Sequence, residues 1–304
     1  MESPTMVWPD RRRAAVVLTV DVDIESGVLW EFPDTASRLG IMAHQAYGIR
    51  AGLPRLLRLL ARHDLRATFF VPGFTAETYP DAVRAIVAGG HEVGHHGYLH
   101  EVVSRLSPEE EGDVLERGCA ALQHITGKRP RGYRAPMWEL NYSTPELLAA
   151  RGFVYDSSLM ADDVPYRLAI SADPAAGSLI EIPPHWSLDD GEQYAWLPWI
   201  WDTAPIESPT KVTEMWGLDF AAAVDEGGCL VLTIHPCLSG RPGRAAALER
   251  LLERIVGTPG VWVATAGEVA AYAAQLDLPA VFHAPPRPQQ GDLPQPRPTT
   301  GTAP

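Results

Sequence analysis

Cysteine is scarce in this chain. Its 304 residues contain three, Cys119, Cys229 and Cys237, an odd number without the spacing of a disulfide framework. A disulfide-stapled fold is excluded, and a reduced, cytoplasmic compartment is expected. Long apolar runs are absent too: none approaches the roughly 20 residues that span a bilayer, so no membrane partner is expected. The run 14–20 follows the basic triplet 11–13, but it ends in Asp21 and Asp23 without a small-residue cleavage site. It reads as a buried first strand rather than an exported leader. Positive charge is also in deficit, with 25 Lys and Arg against 38 Asp and Glu. A net charge of −13 argues against the phosphate backbone of nucleic acid as a partner. No internal repeat is found.

What the chain does have is alternation. With 46 % hydrophobic and 21 % charged residues it can fill a core. Strand-like runs occupy 14–23, 66–73, 91–96, 131–136, 153–159, 178–184 and 229–236, and a last one opens the stretch 261–276. Helical periods lie between them at 53–63, 77–90, 107–127, 144–152 and 244–257. Ser107 and Thr144 are candidate N-caps and Gly127 a helix stop. Repeated β–α units with continuously apolar strands predict an α/β fold with a parallel sheet. With seven or so units, a closed barrel is favoured over an open sheet. Two segments break the pattern. Residues 185–215, rich in Trp, Pro and acids, are expected to be a long loop or lid, and the Pro-rich residues 284–304 a disordered tail. A single domain is expected over 1–283.

In such a barrel the functional groups collect at the C-terminal strand ends. The first strand ends in Asp21-Val22-Asp23, the third in His95-His96 with His100 just beyond, RGYRAP in Arg134, and CLVLTIHP in His235. The stretch GHEVGHHGYLHE (90–101) holds four histidines. His96 and His100 would face the same way if the intervening residues turned helically. Two histidines and one carboxylate leave open positions, as a catalytic metal requires. Asp21 and Asp23 point the same way on a strand, so one can bind a metal while the other acts as a base. Each signal has a plainer reading. H-x-x-x-H alone is weak, His91 and His95 share that spacing, and Asp-x-Asp is a common turn device. The coincidence on one rim favours a site, with His91 and His95 as packing residues. Cys237 lacks a group that would activate a thiolate and reads as packing.

TVDVD, GHEVGHHGYLH, RGYRAP and LTIHP, in that order over roughly residues 14–275, resemble the motif series of the polysaccharide deacetylase family. The resemblance implies a distorted (β/α)7 TIM-like barrel and a divalent metal, zinc or cobalt in its place. Asp23, His96 and His100 match the metal ligands. Asp21 matches the catalytic base, Arg134 the arginine that tunes it, and His235 the general acid. A backbone N–H of Tyr133 would help stabilise the oxyanion. Trp186, with Glu181, Asp189 or Asp190, would stand beside the acid histidine. The chain departs from the family's commoner pattern in its Asp-x-Asp spacing and its H-G-Y-L-H motif. With its Trp-rich segment, these departures resemble a cytosolic branch that includes cyclic imide hydrolases, allantoinases and peptidoglycan-deacetylase-like proteins. The expected reaction is therefore hydrolysis of a small amide or cyclic imide, with an N-acetyl sugar deacetylase as the alternative. A homo-oligomer is also expected. An idle scaffold with Trp196, Trp199 and Trp201 as its interface is disfavoured, because every matched position holds a competent residue.

Overall fold

The computed structural model of the protein describes residues 6–202 and 206–286. Its centre is β1 (Ala14–Asp21), whose eight residues are all buried. Alternate side chains face opposite ways. Val16, Leu18 and Val20 join a layer of leucines from the helices Leu53–Arg62 and Pro242–Gly257. Ala15 and Val17 face the barrel interior, with Phe70, Tyr155, Ile180 and Val231. Two apolar faces explain why β1 reads as an unbroken hydrophobic run.

The remaining strands are β2 (Thr68–Val71), β3 (Glu92–His95), β4 (Gly132–Tyr133), β5 (Tyr155–Asp156), β6 (Tyr166–Ala169), β7 (Ser178–Glu181), β8 (Cys229–Ile234), β9 (Val261–Ala264) and β10 (Ala280–Val281). Their order is β10-β6-β7-β5-β4-β3-β2-β1-β8, and β9 pairs with the first half of β1. Every pairing is parallel except β6 with β7. The sheet curls into a distorted TIM-like barrel, as the alternation predicts, but it is not fully closed by hydrogen bonds. Beyond β7 the chain crosses to β8, where a lone parallel bridge joins Asp189 to Thr233.

Several elements depart from expectation. The helix expected over 77–90 is two, Gly73–Thr78 and Pro80–Ala88, because Pro80 cannot donate the backbone hydrogen bond that would continue the first. Thr144 is not an N-cap. It sits in the first turn of Thr144–Ala150, where its hydroxyl donates to Glu111. Ser107 caps Pro108–Thr126 through a capping box, and Gly127 ends that helix with φ 72°. The helices Leu39–Tyr47 and Pro209–Glu226 and the strands β6 and β10 lie outside the expected series. Residues 185–215 are not one long loop. They contain the turn Trp186–Leu188, the helix Asp190–Tyr194 and the start of Pro209–Glu226. The last of these buries Val212, Trp216, Phe220 and Val224, an i, i+4 stripe that the dense Trp and Pro obscure. Of the expected tail, 287–304 lie outside the described residues. No helix among the described residues is long and apolar enough to cross a membrane.

Close packing of β4 on β5 requires a glycine. A Cβ on Gly132 would stand 1.9 Å from Tyr155 Cζ, whereas one on Gly40 would meet nothing within 4 Å. Gly132→Ala should therefore destabilise the fold by about 1–3 kcal/mol. Urea unfolding checks this, with Gly40→Ala expected to keep or raise the wild-type midpoint.

Candidate active site

The C-terminal ends of β1, β3, β4 and β8 meet at one mouth of the barrel. Past β1, the Val22 N–H donates to the Phe70 carbonyl at 2.9 Å and prolongs the pairing with β2. The Asp23 carbonyl then accepts hydroxyl bonds from Ser26 and Thr75. These bonds fix the carboxylates of Asp21 and Asp23 over the mouth. The turn after His96 is not helical, contrary to expectation. Gly97 and His100 both take left-handed backbone angles, φ 70° and 61°. The buried Glu101 carboxylate accepts the N–H groups of Tyr98 and Leu99, at 2.9 and 2.8 Å, and holds the loop in shape. The two imidazoles meet edge to face, with ring centroids 5.1 Å apart.

Asp23 lies among three imidazoles. Its Oδ1 is 3.4 Å from His96 Nε2, and its Oδ2 is 3.4 Å from both His100 Nε2 and His235 Nε2. His96 donates through Nδ1–H to the Arg134 carbonyl at 2.8 Å, which leaves Nε2 free to face Asp23. Burial alone would raise the Asp23 pKa, but His100, His235 and His96 hold it well below the usual range. Burial pushes His100 down to about 4. For His96, burial is outweighed by the charges of Asp21 and Asp23, and the pKa rises. Asp23 Oδ1 is buried without a hydrogen-bond partner. An orphaned carboxylate oxygen facing a free imidazole nitrogen is expensive in an apolar interior, and a cation there would satisfy it. Asp23, His96 and His100 offer ligand atoms within 4.8 Å of one another, a donor set suited to zinc.

Asp21 and His235 flank this trio, each held by its own partner. Arg134 is fully buried and donates to Asp21 Oδ1 (3.0 Å), Thr19 (2.8 Å), Thr233 (3.1 Å) and both Ser157 oxygens. His235 donates through Nδ1–H to Asp190 Oδ1 at 2.6 Å, so its Nε2 faces the cavity. Asp190 also accepts the backbone N–H groups of His235 and Ser239. Burial disfavours a charged His235, but Asp189, Asp190 and Asp23 outweigh it and raise its pKa well above 6.5. Asp189, Asp190 and His235 would also fit round a cation, yet the N–H donors already saturate Asp190.

The other expected residues divide. Asp189 lines the cavity and caps the next helix through the Gly191 N–H, and burial pushes its pKa up to about 7. Trp186 lines the cavity as expected. Tyr133 does not: β4 is paired on both edges, and the Tyr133 ring packs against His95 and Phe153. Glu181 is far from His235's partners. It is buried against Asp156 and accepts the Ser158 and Leu159 N–H groups. His95 is a packing residue, bonded to the Leu115 carbonyl and the Gly97 N–H, and burial lowers its pKa to about 3. His91 accepts the Ala67 N–H and lies against Phe69. Cys237 is buried, which raises its pKa to about 12 and removes it as a nucleophile.

A cavity of about 510 Å³ opens over these groups. Sequence reading missed much of its wall: His44 and Gln45 from the unforeseen helix Leu39–Tyr47, and Met137 and Trp138 after RGYRAP. The Trp-rich segment contributes Trp196, Leu197, Ile200 and Trp201. Trp199 is instead 83 % exposed and stacks beneath the Arg38 guanidinium.

The sequence profile of the polysaccharide deacetylase family matches residues 41–155. A peptidoglycan deacetylase of Helicobacter pylori is 33 % identical over 282 residues, covering 84 % of this chain and 94 % of that protein. The chain belongs to the polysaccharide deacetylase family. It is a hydrolase of carbon–nitrogen bonds other than peptide bonds. Among solved structures, a Mycobacterium smegmatis protein assigned as a polysaccharide deacetylase superposes with TM-score 0.90 at 45 % identity, covering 94 % of this chain and 99 % of that one. An allantoinase superposes with TM-score 0.79 over 91 % of this chain and 95 % of its own, but at 24 % identity that likeness is one of fold.

The two histidine pairs separate in a metal-content measurement. In protein loaded with a divalent metal, His96→Ala and His100→Ala should each lose stoichiometric metal, while His91→Ala keeps it and loses only stability. Retained metal in His96→Ala would remove that residue from the candidate ligand set.

Proposed function

We infer that this deacetylase-family hydrolase removes the acetyl group from an N-acetylated amino sugar. Asp23, His96 and His100 would hold a divalent metal, zinc in the simplest case. The orphaned Asp23 Oδ1 facing the free His96 Nε2 carries the chemical half of this reading. The substrate half draws on the Helicobacter pylori relative, whose name is that of a peptidoglycan deacetylase. It replaces the sequence-based preference for a small amide or cyclic imide, to which the allantoinase lends a likeness of fold alone.

Bound at these residues, the metal would polarise the amide carbonyl and acidify the attacking water. Asp21, pinned by Arg134 at 3.0 Å, is placed to take a proton from that water. Asp190 holds the His235 Nδ1–H, and the carboxylates of Asp189, Asp190 and Asp23 favour the charged ring, so the imidazolium would carry its second proton on Nε2, on the cavity side. It delivers that proton to the nitrogen as the carbon–nitrogen bond breaks. A carbon–oxygen bond has formed in its place, and the products are an amine and a carboxylate. The walls do the binding. Trp186 and Trp196 offer flat apolar faces at the rim, while Gln45 and His44 offer polar contacts.

A cyclic amide remains as a second reading for one reason: the segment Leu197–Trp201 narrows the cavity to the volume of a small ligand. Zinc-loaded protein should release acetate from N-acetylglucosamine oligomers, read by NMR, and leave succinimide, hydantoin and allantoin intact. Ring opening without acetate would reverse the two readings. His235→Gln should retain zinc and lower kcat by about 10²–10⁴-fold, the usual contribution of a positioned general acid.

A further inference from the structure

Behind Arg134, on the side away from Asp21, two acids lie together inside the protein. Asp156 at the end of β5 and Glu181 at the end of β7 are register partners on adjacent strands, and both are fully buried. Each carboxyl group has one committed oxygen. Asp156 Oδ1 accepts the Ser158 hydroxyl at 2.8 Å, and Glu181 Oε1 accepts the N–H groups of Ser158 and Leu159 at 2.8 and 3.0 Å. The second oxygens, Asp156 Oδ2 and Glu181 Oε2, have no hydrogen-bond partner of the ordinary kind. As register partners on adjacent parallel strands, the two side chains leave the sheet on the same face, side by side. Two adjacent buried carboxylates cannot both be ionised without severe repulsion. A single proton between the free oxygens would satisfy both.

The pair touches the site through the backbone it fixes. The Ser158 hydroxyl accepts the Ala135 N–H at 2.9 Å, next to Arg134 in the chain. Arg134 donates to the carbonyl and hydroxyl of Ser157, and the Ser157 hydroxyl donates on to the Ile182 carbonyl. The residues after β4, β5 and β7 are thus bolted together by these two acids and one arginine. We propose that Asp156 and Glu181 share one proton and act as a positioning brace that holds Arg134, and through it Asp21, in register with the substrate. This inference rests on the reading of Asp21 and Arg134 as reacting and supporting groups.

The surroundings agree. The charged or titratable groups near enough for their charge to act on the pair are Arg134 after β4, Tyr133 on β4, Tyr155 on β5 and Tyr166 on β6. Arg134 is the one cation among them. Burial raises Asp156 to about 6 and Glu181 well above the usual carboxylate range. The folded state therefore keeps a proton that the unfolded chain gives up near the ordinary carboxylate pKa. Its stabilising effect is complete below that value and fades as pH rises through the folded one.

Three readouts test the brace in the full-length, zinc-loaded protein. Glu181→Gln places an amide N–H where the shared proton lies, so it should keep kcat within about threefold of wild type. Its urea midpoint relative to wild type should rise between about pH 5 and about pH 8. A wild-type minus E181Q infrared difference spectrum should contain a protonated-carboxyl C=O band at neutral pH. Glu181→Leu, which strands the Ser158 and Leu159 N–H groups, should lower kcat at least about tenfold with zinc content unchanged. Parallel pH–stability curves and no acid band would overturn the shared proton. Wild-type kcat in E181L would overturn the positioning role. If E181L does not fold, Asp156→Asn takes its place: behaviour matching E181Q supports the brace, and a pH–stability curve parallel to wild type overturns it. The stability and infrared readouts need no substrate, so they stand even if the deacetylase reading fails.

Discussion

Arg134 is the constraint round which this end of the barrel is organised. A guanidinium with no exposed surface loses its hydration entirely, and the protein must return an equivalent set of contacts. It does so from four places. Thr19 and Asp21 of β1, Thr233 of β8 and Ser157 beyond β5 accept its N–H groups, while the rings of Phe70 and Trp138 lie within 4.5 and 5.3 Å of its central carbon. The threonines are explicable only on this basis. Thr19 and Thr233 are register partners whose hydroxyls meet at 2.9 Å inside an otherwise apolar barrel. They continue the inward-facing row Ala15, Val17, Thr19, Asp21, where the interior changes from apolar to polar over two residues. Moving any of these strand ends would leave a buried cation unpaired, so the position of Asp21 is fixed by the same interactions that hold the barrel together.

The candidate site divides its charges between two supports. Asp21 leans on Arg134, and His235 leans on Asp190, so each is oriented by a different buried partner. Asp23 is different. Its protein neighbours are imidazoles whose free nitrogens approach at 3.4 Å, too far for good hydrogen bonds but suited to an ion placed among them. The second bonds of the histidines distinguish them. The His96 Nδ1–H is committed to a carbonyl and exposes Nε2, whereas His95 uses both nitrogens inside the protein and exposes neither.

The sequence made the barrel and the catalytic rim legible for one reason: parallel strands buried on both faces leave unbroken apolar runs, and the polar residue ending each run marks the rim. Asp21 and His235 stand just where an apolar run stops, and Asp23, His96 and Arg134 end or follow the strands beside them. Spacing failed where local backbone decided. The step from His96 to His100 suggests a helical turn, but Gly97 and Glu101 impose a loop that still brings the rings together. Tyr133, expected through its backbone N–H, lies on a strand paired along both edges, a tertiary fact that its sequence neighbours do not show. Choosing Asp190 over Glu181 needed the crossing from β7 to β8, a tertiary fact with no local signature. The elements missed outright, Leu39–Tyr47 and Pro209–Glu226, are a mildly amphipathic helix and one disguised by its Trp-rich flank.

Those missed elements build the cavity walls, and this follows from how the fold distributes constraint. Strand-end residues are held by the sheet, by Arg134 and by the helices behind, so the chemistry is locked to the barrel. Much of the wall, which Met137 and Trp138 complete, comes from 26–47 and 186–201, two stretches outside the barrel. They are joined by a small apolar cluster of Val28, Ile41 and Leu197, by Arg38 donating to the Pro198 carbonyl, and by Phe32 set edge-on to Trp201. None of these contacts touches Arg134, Asp23 or Asp190. Most of the wall is therefore held separately from the strand ends, the exception being Trp138, whose ring centre lies 5.3 Å from the Arg134 guanidinium carbon. Selectivity for sugar or ring must then be sought in the contacts between Leu39–Tyr47 and the Leu197–Trp201 turn, because the strand ends are built to act on an amide whichever molecule presents it.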